Sequence, residues 1–256
     1  KRQNEESGWR CIEYFNKVDT MPKIGFSPDA DFPVINCEKG IVNYKISLPT
    51  IDGFTIKSGE RPNVVPNKCT ATLNGEEFET NGVSAHAANP QNGDNAIAKM
   101  LKLLSEKSDG IKDLYEKLSD YYGGGLGLDV SDEPSGRLTQ NVGMAFTDDK
   151  LNFVLDIRYP VTFKEDFVLS ALKKAFPTAT IERTHYHLPL YVEKDNPLVT
   201  TLLDVYNKYT GERQTPISIG GGTYSRALPL GVAFGPVFPN SNLDIHCLLY
   251  TSPSPR

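Results

Sequence analysis

Asn74-Gly75, set between two runs of strand character, does most to limit what this chain can fold into. Residues 68–73 and 77–80 flank the pair. Asn-Gly accepts the positive φ that a two-residue hairpin turn demands at both central positions. A link this short can only join antiparallel neighbours, so the middle of the chain is committed to an antiparallel sheet. Further strands are read at 24–27, at 40–48 (Ile41, Val42, Tyr44, Ile46, Leu48), at 138–147 and 151–159 around Asp148-Asp149-Lys150, at 178–188 and at 217–219. Helical spacing predicts helices over 6–17 (Trp9, Ile12, Tyr14, Phe15), 95–106 (Ile97, Met100, Leu101, Leu104) and 110–121, the last ended by Gly123-Gly124-Gly125. Two more are predicted over 164–175 and 197–209, the second with Pro197 in its first turn.

Strands mixed with crossover helices point to α/β architecture. Residues 43–189 read strand-strand-helix-strand-strand-helix-strand, a small antiparallel sheet covered by helices. The flanks, 1–42 and 190–256, read as pieces of one α/β layer interrupted by that insertion. No internal repeat or coiled coil is present.

Charge and composition exclude several functions. The 27 basic and 32 acidic residues leave a net charge of −5 with no long basic run, which argues against binding driven by phosphate neutralisation. No apolar stretch is long enough to span a bilayer. No apolar segment follows Lys1-Arg2-Gln3-Asn4, so the start is not a signal peptide, and its charged character suggests a chain that begins inside a longer protein. Cys11, Cys37, Cys69 and Cys247 are far apart and form no Cys-x-x-Cys pair, which fits reduced thiols in the cytoplasm and gives a metal no thiolate cluster.

Oxygen and nitrogen donors are scattered along the chain. Glu5-Glu6, Asp29 in Ser27-Pro28-Asp29-Ala30, and His246 are the residue types that hold zinc or manganese and orient a water in hydrolases. Read alone, the glutamates are more often the surface acids of a helix start than metal-site residues. Gly220-Gly221-Gly222-Thr223 after a strand could cradle an anion, although neither Gly-x-x-x-x-Gly-Lys-Ser/Thr nor Gly-x-Gly-x-x-Gly is present. His185-Tyr186-His187 places two imidazoles on one strand face, a pair more often structural than ligating when no third donor is near.

Five segments together carry a resemblance. They are Asn4-Glu5-Glu6-Ser7-Gly8-Trp9, Phe26-Ser27-Pro28-Asp29-Ala30-Asp31-Phe32-Pro33, Ser84-Ala85-His86-Ala87-Ala88-Asn89-Pro90, Asp156-Ile157-Arg158-Tyr159-Pro160 and Ile219-Gly220-Gly221-Gly222-Thr223-Tyr224-Ser225-Arg226. In this order they resemble the PepV-like dipeptidases of the aminoacylase/carboxypeptidase clan, family M20, from about residue 4 to His246. The resemblance implies part of a zinc-peptidase α/β catalytic domain with an inserted α+β lid: catalytic segments 1–42 and 190–246, lid 43–189, and a tail 247–256 that does not match. It implies two divalent metal ions, most often zinc with manganese or cobalt as alternatives, held by Glu6, Asp29 and His246. Glu5 takes the place of the general base. His86 takes that of the residue reaching the scissile carbonyl to stabilise the oxyanion. Asn63, Arg158, Gly220, Gly221, Gly222 and Arg226 take the places of substrate-binding residues, with Arg158 gripping a carboxylate.

The expected activity is hydrolysis of dipeptides or short peptides by a cytoplasmic monomer or homodimer that binds neither nucleic acid nor membrane. The alternatives are a deacylase of N-acyl amino acids and a non-catalytic amino-acid- or peptide-binding relative. The family's first metal histidine and bridging aspartate lie upstream of the Glu-Glu pair, so this chain by itself is expected to be inactive. The short Asn74-Gly75 link also implies a smaller lid than relatives carry.

Overall fold

Seven strands make one sheet in the structure, a computed structural model that describes residues 9–239 and 241. In chain order they are β1 (Gly40–Leu48), β2 (Phe54–Ser58), β3 (Lys68–Leu73), β4 (Glu76–Asn81), β5 (Thr139–Thr147), β6 (Leu151–Tyr159) and β7 (Thr180–His187). Their spatial order is β7-β1-β6-β5-β2-β3-β4, and each neighbouring pair is antiparallel. The Asn74-Gly75 turn joins β3 to β4 with Leu73 opposite Glu76. Asn74 at φ 51 and Gly75 at φ 83 supply the two positive values that the turn needs.

The two faces of this sheet differ because side chains alternate along a strand. One face presents Val42, Tyr44, Ile46, Phe54, Ile56, Ala71, Leu73, Phe153, Leu155 and Ile157 to the core. Three helices cover it: α1 (Ala96–Leu104), α2 (Asp109–Leu118) and α3 (Glu165–Ala175). Helix α1 buries Ile97, Met100, Leu101 and Leu104, all at 0% exposure, as their spacing predicts. The opposite face carries polar rows set by register: His185, Asn43, Asp156 and Asn141 in one, and His187, Ile41, Arg158 and Thr139 in the next.

Asn95 starts α1 and ties it to the sheet. Its Oδ1 accepts the N–H groups of Ile97 at 2.9 Å and Ala98 at 3.3 Å. Its Nδ2 donates to Asn141 Oδ1 at 3.2 Å and to the Val142 carbonyl at 3.0 Å. Helix α2 stops at Leu118, earlier than the glycine run suggests. Asp120 explains the difference, because its carboxylate accepts the N–H groups of Tyr122 at 3.0 Å and Gly124 at 2.7 Å and turns the chain at once. The glycines serve packing instead: Gly123 takes φ +72, and a Cβ on Gly125 would overlap the Glu116 carbonyl. The other predicted elements fall within a few residues of their bounds where they are described, while the strands Ile35–Glu38 and Phe54–Ser58 are not among those the sequence predicts.

The chain divides into two compact units. Cys37–Tyr191 and Ser218–Gly222 form one, which holds the seven-stranded sheet. The second unit takes the chain up to Asn36, Val192–Ile217 and the residues from Thr223 onward. Here Ile24–Ser27 pairs in parallel with Leu230–Ala233, and Ala30–Asp31 pairs in parallel with Pro236–Val237. Phe32 anchors this unit, with Tyr206, Phe234 and Phe238 rings at 5.3, 4.8 and 4.7 Å from its own. Helix Pro197–Thr210 begins at Asn196, whose side chain accepts the Leu198 N–H, and ends at Gly211 in the left-handed region. Among the described residues no helix is long and apolar enough to cross a membrane.

Two acceptors make stability measurable. Asn95→Ala removes a helix cap and two donors at once, and is expected to lower the unfolding free energy by about 2 kcal/mol in urea titration. Asp132 accepts from Ser135 N and Oγ at 2.7 and 2.6 Å and from Thr162 N and Oγ1 at 3.0 Å each. Burial alone would raise its carboxyl pKa, but the Ser135 and Thr162 donors outweigh burial and hold it below the ordinary range. A depressed folded-state pKa stabilises the protein above the unfolded value of about 3.9, and that stabilisation is lost as pH falls through the folded value. Asp132→Asn should therefore be less stable than the parent at neutral pH. The two proteins should converge in acid when unfolding is followed by circular dichroism.

Candidate active site

The predicted site residues fall into three groups. Glu5, Glu6 and His246 lie outside the described residues. Asp29 and Arg226 belong to the unit that holds Phe32, and Asn63, His86, Arg158 and Gly220–Gly222 belong to the unit built on the seven-stranded sheet.

Asp29 sits in the turn between Ile24–Ser27 and Ala30–Asp31. Parallel pairing of both strands with the 230–237 segment fixes that turn. The carboxylate is exposed, and its Oδ2 accepts the Tyr224 N–H at 3.3 Å. Tyr224 opens a 3-10 turn, Tyr224–Ala227, capped by the Thr223 hydroxyl, which accepts the Ser225 N–H at 3.2 Å. The Tyr224 ring packs against Trp9 at 5.2 Å, and its hydroxyl lies 3.6 Å from Cys11 Sγ. Arg226 is half-buried in the same turn, its N–H closing onto the Thr223 carbonyl.

In the other unit, Asn63 and His86 come together although they are far apart in the chain. Segment 63–65 runs beside 85–87: Val65 N–H donates to the Ala85 carbonyl at 2.8 Å, Ala87 N–H donates to the Asn63 carbonyl at 3.0 Å, and Val64 bridges His86. Asn141, from the polar sheet face, fixes the first of these segments by donating to the carbonyls of Pro62 at 2.9 Å and Val64 at 3.0 Å. His86 is exposed, and its Nδ1 accepts the Ala88 N–H at 3.2 Å. An accepting Nδ1 leaves the neutral ring's proton on Nε2, so the imidazole is set up as a donor. The small residues around it permit close approach: a Cβ on Gly220 would stand 3.0 Å from the Ala88 Cβ. The glycine turn therefore abuts the loop that carries His86.

Arg158, the expected carboxylate grip, is 4% exposed, with partners inside the protein. Nε donates to Asp156 Oδ1 at 2.6 Å, Nη2 to Asp156 Oδ2 at 3.1 Å and Nη1 to the Gly220 carbonyl at 2.7 Å. Asp156 is the functional candidate that sequence reasoning misses. The available signal is its place two residues before Arg158 on one strand, which puts both on the same face.

The donor set fits the expected metals in part. Asp29 offers an exposed carboxylate bonded to one backbone N–H, a fit for an oxygen ligand. Among the described residues no group of three or more His, Cys, Asp or Glu side chains could hold a metal ion. The His185 and His187 rings stand 4.5 Å apart, edge to face, and among the described residues they are not part of such a group. An open groove of about 750 Å³ lies along β2 and β3, lined by Lys57, Arg61, Lys68, Ser84 and Gly143 among others.

Residues 73–184 match the peptidase dimerisation domain of the M20 peptidases. A Bacillus subtilis protein named "Putative dipeptidase YtjP" is 34% identical over 291 residues, covering 95% of this chain and 62% of that protein. A Staphylococcus epidermidis protein named "Putative dipeptidase" is 29% identical over 293 residues, with the same coverage of 95% and 62%. Among solved structures, the aminoacylhistidine dipeptidase of Vibrio alginolyticus is similar at 14% identity and TM-score 0.48, covering 91% of this chain and 61% of that one. Aminopeptidase PepT of Bacillus cereus is similar at 16% and 0.47, covering 90% and 53%. The chain is thus similar to a peptidase dimerisation domain over residues 73–184 and to proteins named putative dipeptidases over 95% of its length. It spans 62% of the length of these two curated relatives.

Arg158→Leu should strand a buried carboxylate and cost about 3–5 kcal/mol in chemical denaturation, whereas adding Asp156→Leu should recover much of that loss.

Proposed function

We propose that the whole protein is a metal-dependent dipeptidase, to which this chain contributes the metal ligands Glu6, Asp29 and His246 and most of the substrate-recognition surface. The single observation that carries the reading is the match of 95% of the chain to relatives named as dipeptidases. The chemistry of the candidate residues agrees with it. Divalent metal ions, held by Glu6, Asp29 and His246, would polarise the peptide carbonyl and bring the pKa of water toward about 7. Two ions, with zinc as the first choice and manganese or cobalt as alternatives, suit this oxygen and nitrogen donor set.

In this reading Glu5 takes a proton from the attacking water and later returns it to the leaving amine. His86 donates through Nε2 to the oxygen of the scissile carbonyl as negative charge develops there. Its supports are the Nδ1 acceptor role and the exposure of the ring. Asn63, Arg226, Arg158 and the glycine turn orient the peptide, Arg158 through its carboxylate-matching fork. Segments 1–42 and 190–246 act as the catalytic part and 43–189 as the lid. The peptidase dimerisation domain at 73–184 supports a homodimer. Free thiols at Cys11, Cys37 and Cys69 support a reducing compartment, the cytoplasm.

Two measurements test the reading in a chain extended to the relatives' length. With zinc or manganese added, free dipeptides should be cleaved and N-acyl amino acids left intact. The reverse preference would make the protein a deacylase, and bound ligand without turnover would make it a binder. Glu5→Ala should abolish turnover with metal content unchanged. His86→Ala should lower kcat about 10²–10³-fold, the cost of losing one oxyanion donor.

A further inference from the structure

The open groove along β2 and β3 has no part in peptide cleavage as proposed above, and its chemistry differs from that of the chain as a whole. Its volume, about 750 Å³, is that of a small-molecule site. Three basic side chains, Lys57, Arg61 and Lys68, line it against one acid, Glu60. The chain around them carries a net charge of −5. Register explains the clustering. Lys57 on β2 stands opposite Thr70 on β3, with Lys68 two residues before it, so all three side chains share the face turned away from the helices. Beyond Lys57 the chain bends at Gly59, where φ is +72 and a Cβ would overlap the Gly143 carbonyl of β5. That close approach keeps the floor of the groove free of side chains.

The donors of the groove are idle. Among the described residues Lys57 Nζ, the Arg61 guanidinium, the Asn67 side-chain amide and the Ser84 hydroxyl have no hydrogen-bond or ion-pair partner. Lys68 pairs with Glu79 at 3.0 Å, but both side chains are at least half exposed, so the pair is weak and another anion can compete for the ammonium. One carboxylate would engage one of these cations. A phosphate group brings three or more acceptor oxygens and a charge of about −1.5 to −2, which suits cations converging from two strands and a loop. Arg61 offers it a planar fork, and the lysines act as point charges. Val64, Val65 and Pro66 make the apolar part of the lining, against which an organic body can rest.

That apolar wall also joins the groove to the candidate site. Val65 N–H donates to the Ala85 carbonyl, Val64 bridges His86, and Ser84 lines the groove two residues before the imidazole. A ligand resting on 64–66 and Ser84 bears on both segments that hold Asn63 and His86.

We propose that this groove binds the phosphate groups of a small molecule, and that its occupancy is transmitted to His86 through the paired segments 63–65 and 85–87. The site requires neither metal nor turnover, so it stands or falls independently of the dipeptidase reading.

The test titrates pyrophosphate and adenosine diphosphate into the isotope-labelled chain with no divalent metal present. Calorimetry gives the affinity, and NMR follows the backbone amides and the His86 ring. Both anions should bind at about 0.15 M salt. They should shift the Arg61, Val65 and Ser84 amides, and the His86 ring signal should move on the same curve. Equal affinities assign the site to the bare anion, and tighter binding of the nucleotide assigns it to an organic phosphate seated on the apolar wall. Arg61→Gln and Lys57→Gln should each weaken binding about tenfold. Glu60→Gln should tighten it about threefold, because it removes a like charge. Lys112→Gln, exposed on α2 at the helix side of the sheet, should change nothing. Lys57, Glu60 and Arg61 are exposed, so the variants should keep the parent's fold, which circular dichroism checks. The proposal is overturned if neither anion binds at that salt concentration, if Lys112→Gln costs as much as Arg61→Gln, or if Glu60→Gln weakens binding. Amide shifts confined to other parts of the chain overturn it too. A His86 signal that stays still at saturation overturns the transmission to the imidazole.

Discussion

The register of one antiparallel sheet decides where everything in its unit can be. With Asn141 opposite Asp156 and Asp156 opposite Asn43, the intervening Val142, Leu155, Tyr44 and Val42 are turned toward the helices. A slip of one residue would exchange the two sets and bury Asp156 and Asn43 among leucines. Burial of the apolar set stabilises the register at roughly 25 cal/mol per Å² of surface removed from water. The polar rows on the other face are positioned by that packing.

Those polar rows then organise loops that share no local sequence. Asn141 reaches the 62–64 carbonyls, the 63–65 segment holds 85–87, and Ala88 meets Gly220, whose carbonyl returns to Arg158 beside Asp156. Four parts of the chain are thereby closed into one ring that starts and ends on β5 and β6. Each link has at least one end on a backbone carbonyl, a backbone N–H or a closely packed glycine. Small residues at 85, 87, 88 and 220–222 are what permit the close approaches.

How much of this is legible in the sequence follows from the range of each interaction. The β3–β4 hairpin, α1 with its Asn95 cap, and the β5–β6 pair are legible because their signals lie within a few residues. The end of α2 departs from its predicted place because Asp120, an ordinary-looking acid, captures the chain before the more conspicuous glycines. The engagement of Arg158 is only half legible. Its partner Asp156 lies two residues away, but Gly220 lies 62 residues on, and no local pattern announces it. His86 and Asn63 stand out only through a resemblance, and the Ala88 contact that orients the imidazole comes from three-dimensional placement alone.

A buried ion pair needs an explanation beyond stability. Withdrawing two charges from water costs several kcal/mol per ion, and well-packed apolar residues of similar volume often hold a protein together as well or better. Positions 156–158 lie on the interior strand β6, flanked by β1 and β5, where apolar replacements would have neighbours on both sides. What apolar residues cannot do is hold a planar, charged fork at a fixed angle against a glycine turn. The directionality of the Asp156–Arg158–Gly220 bonds is therefore a property that apolar packing at these positions would not supply.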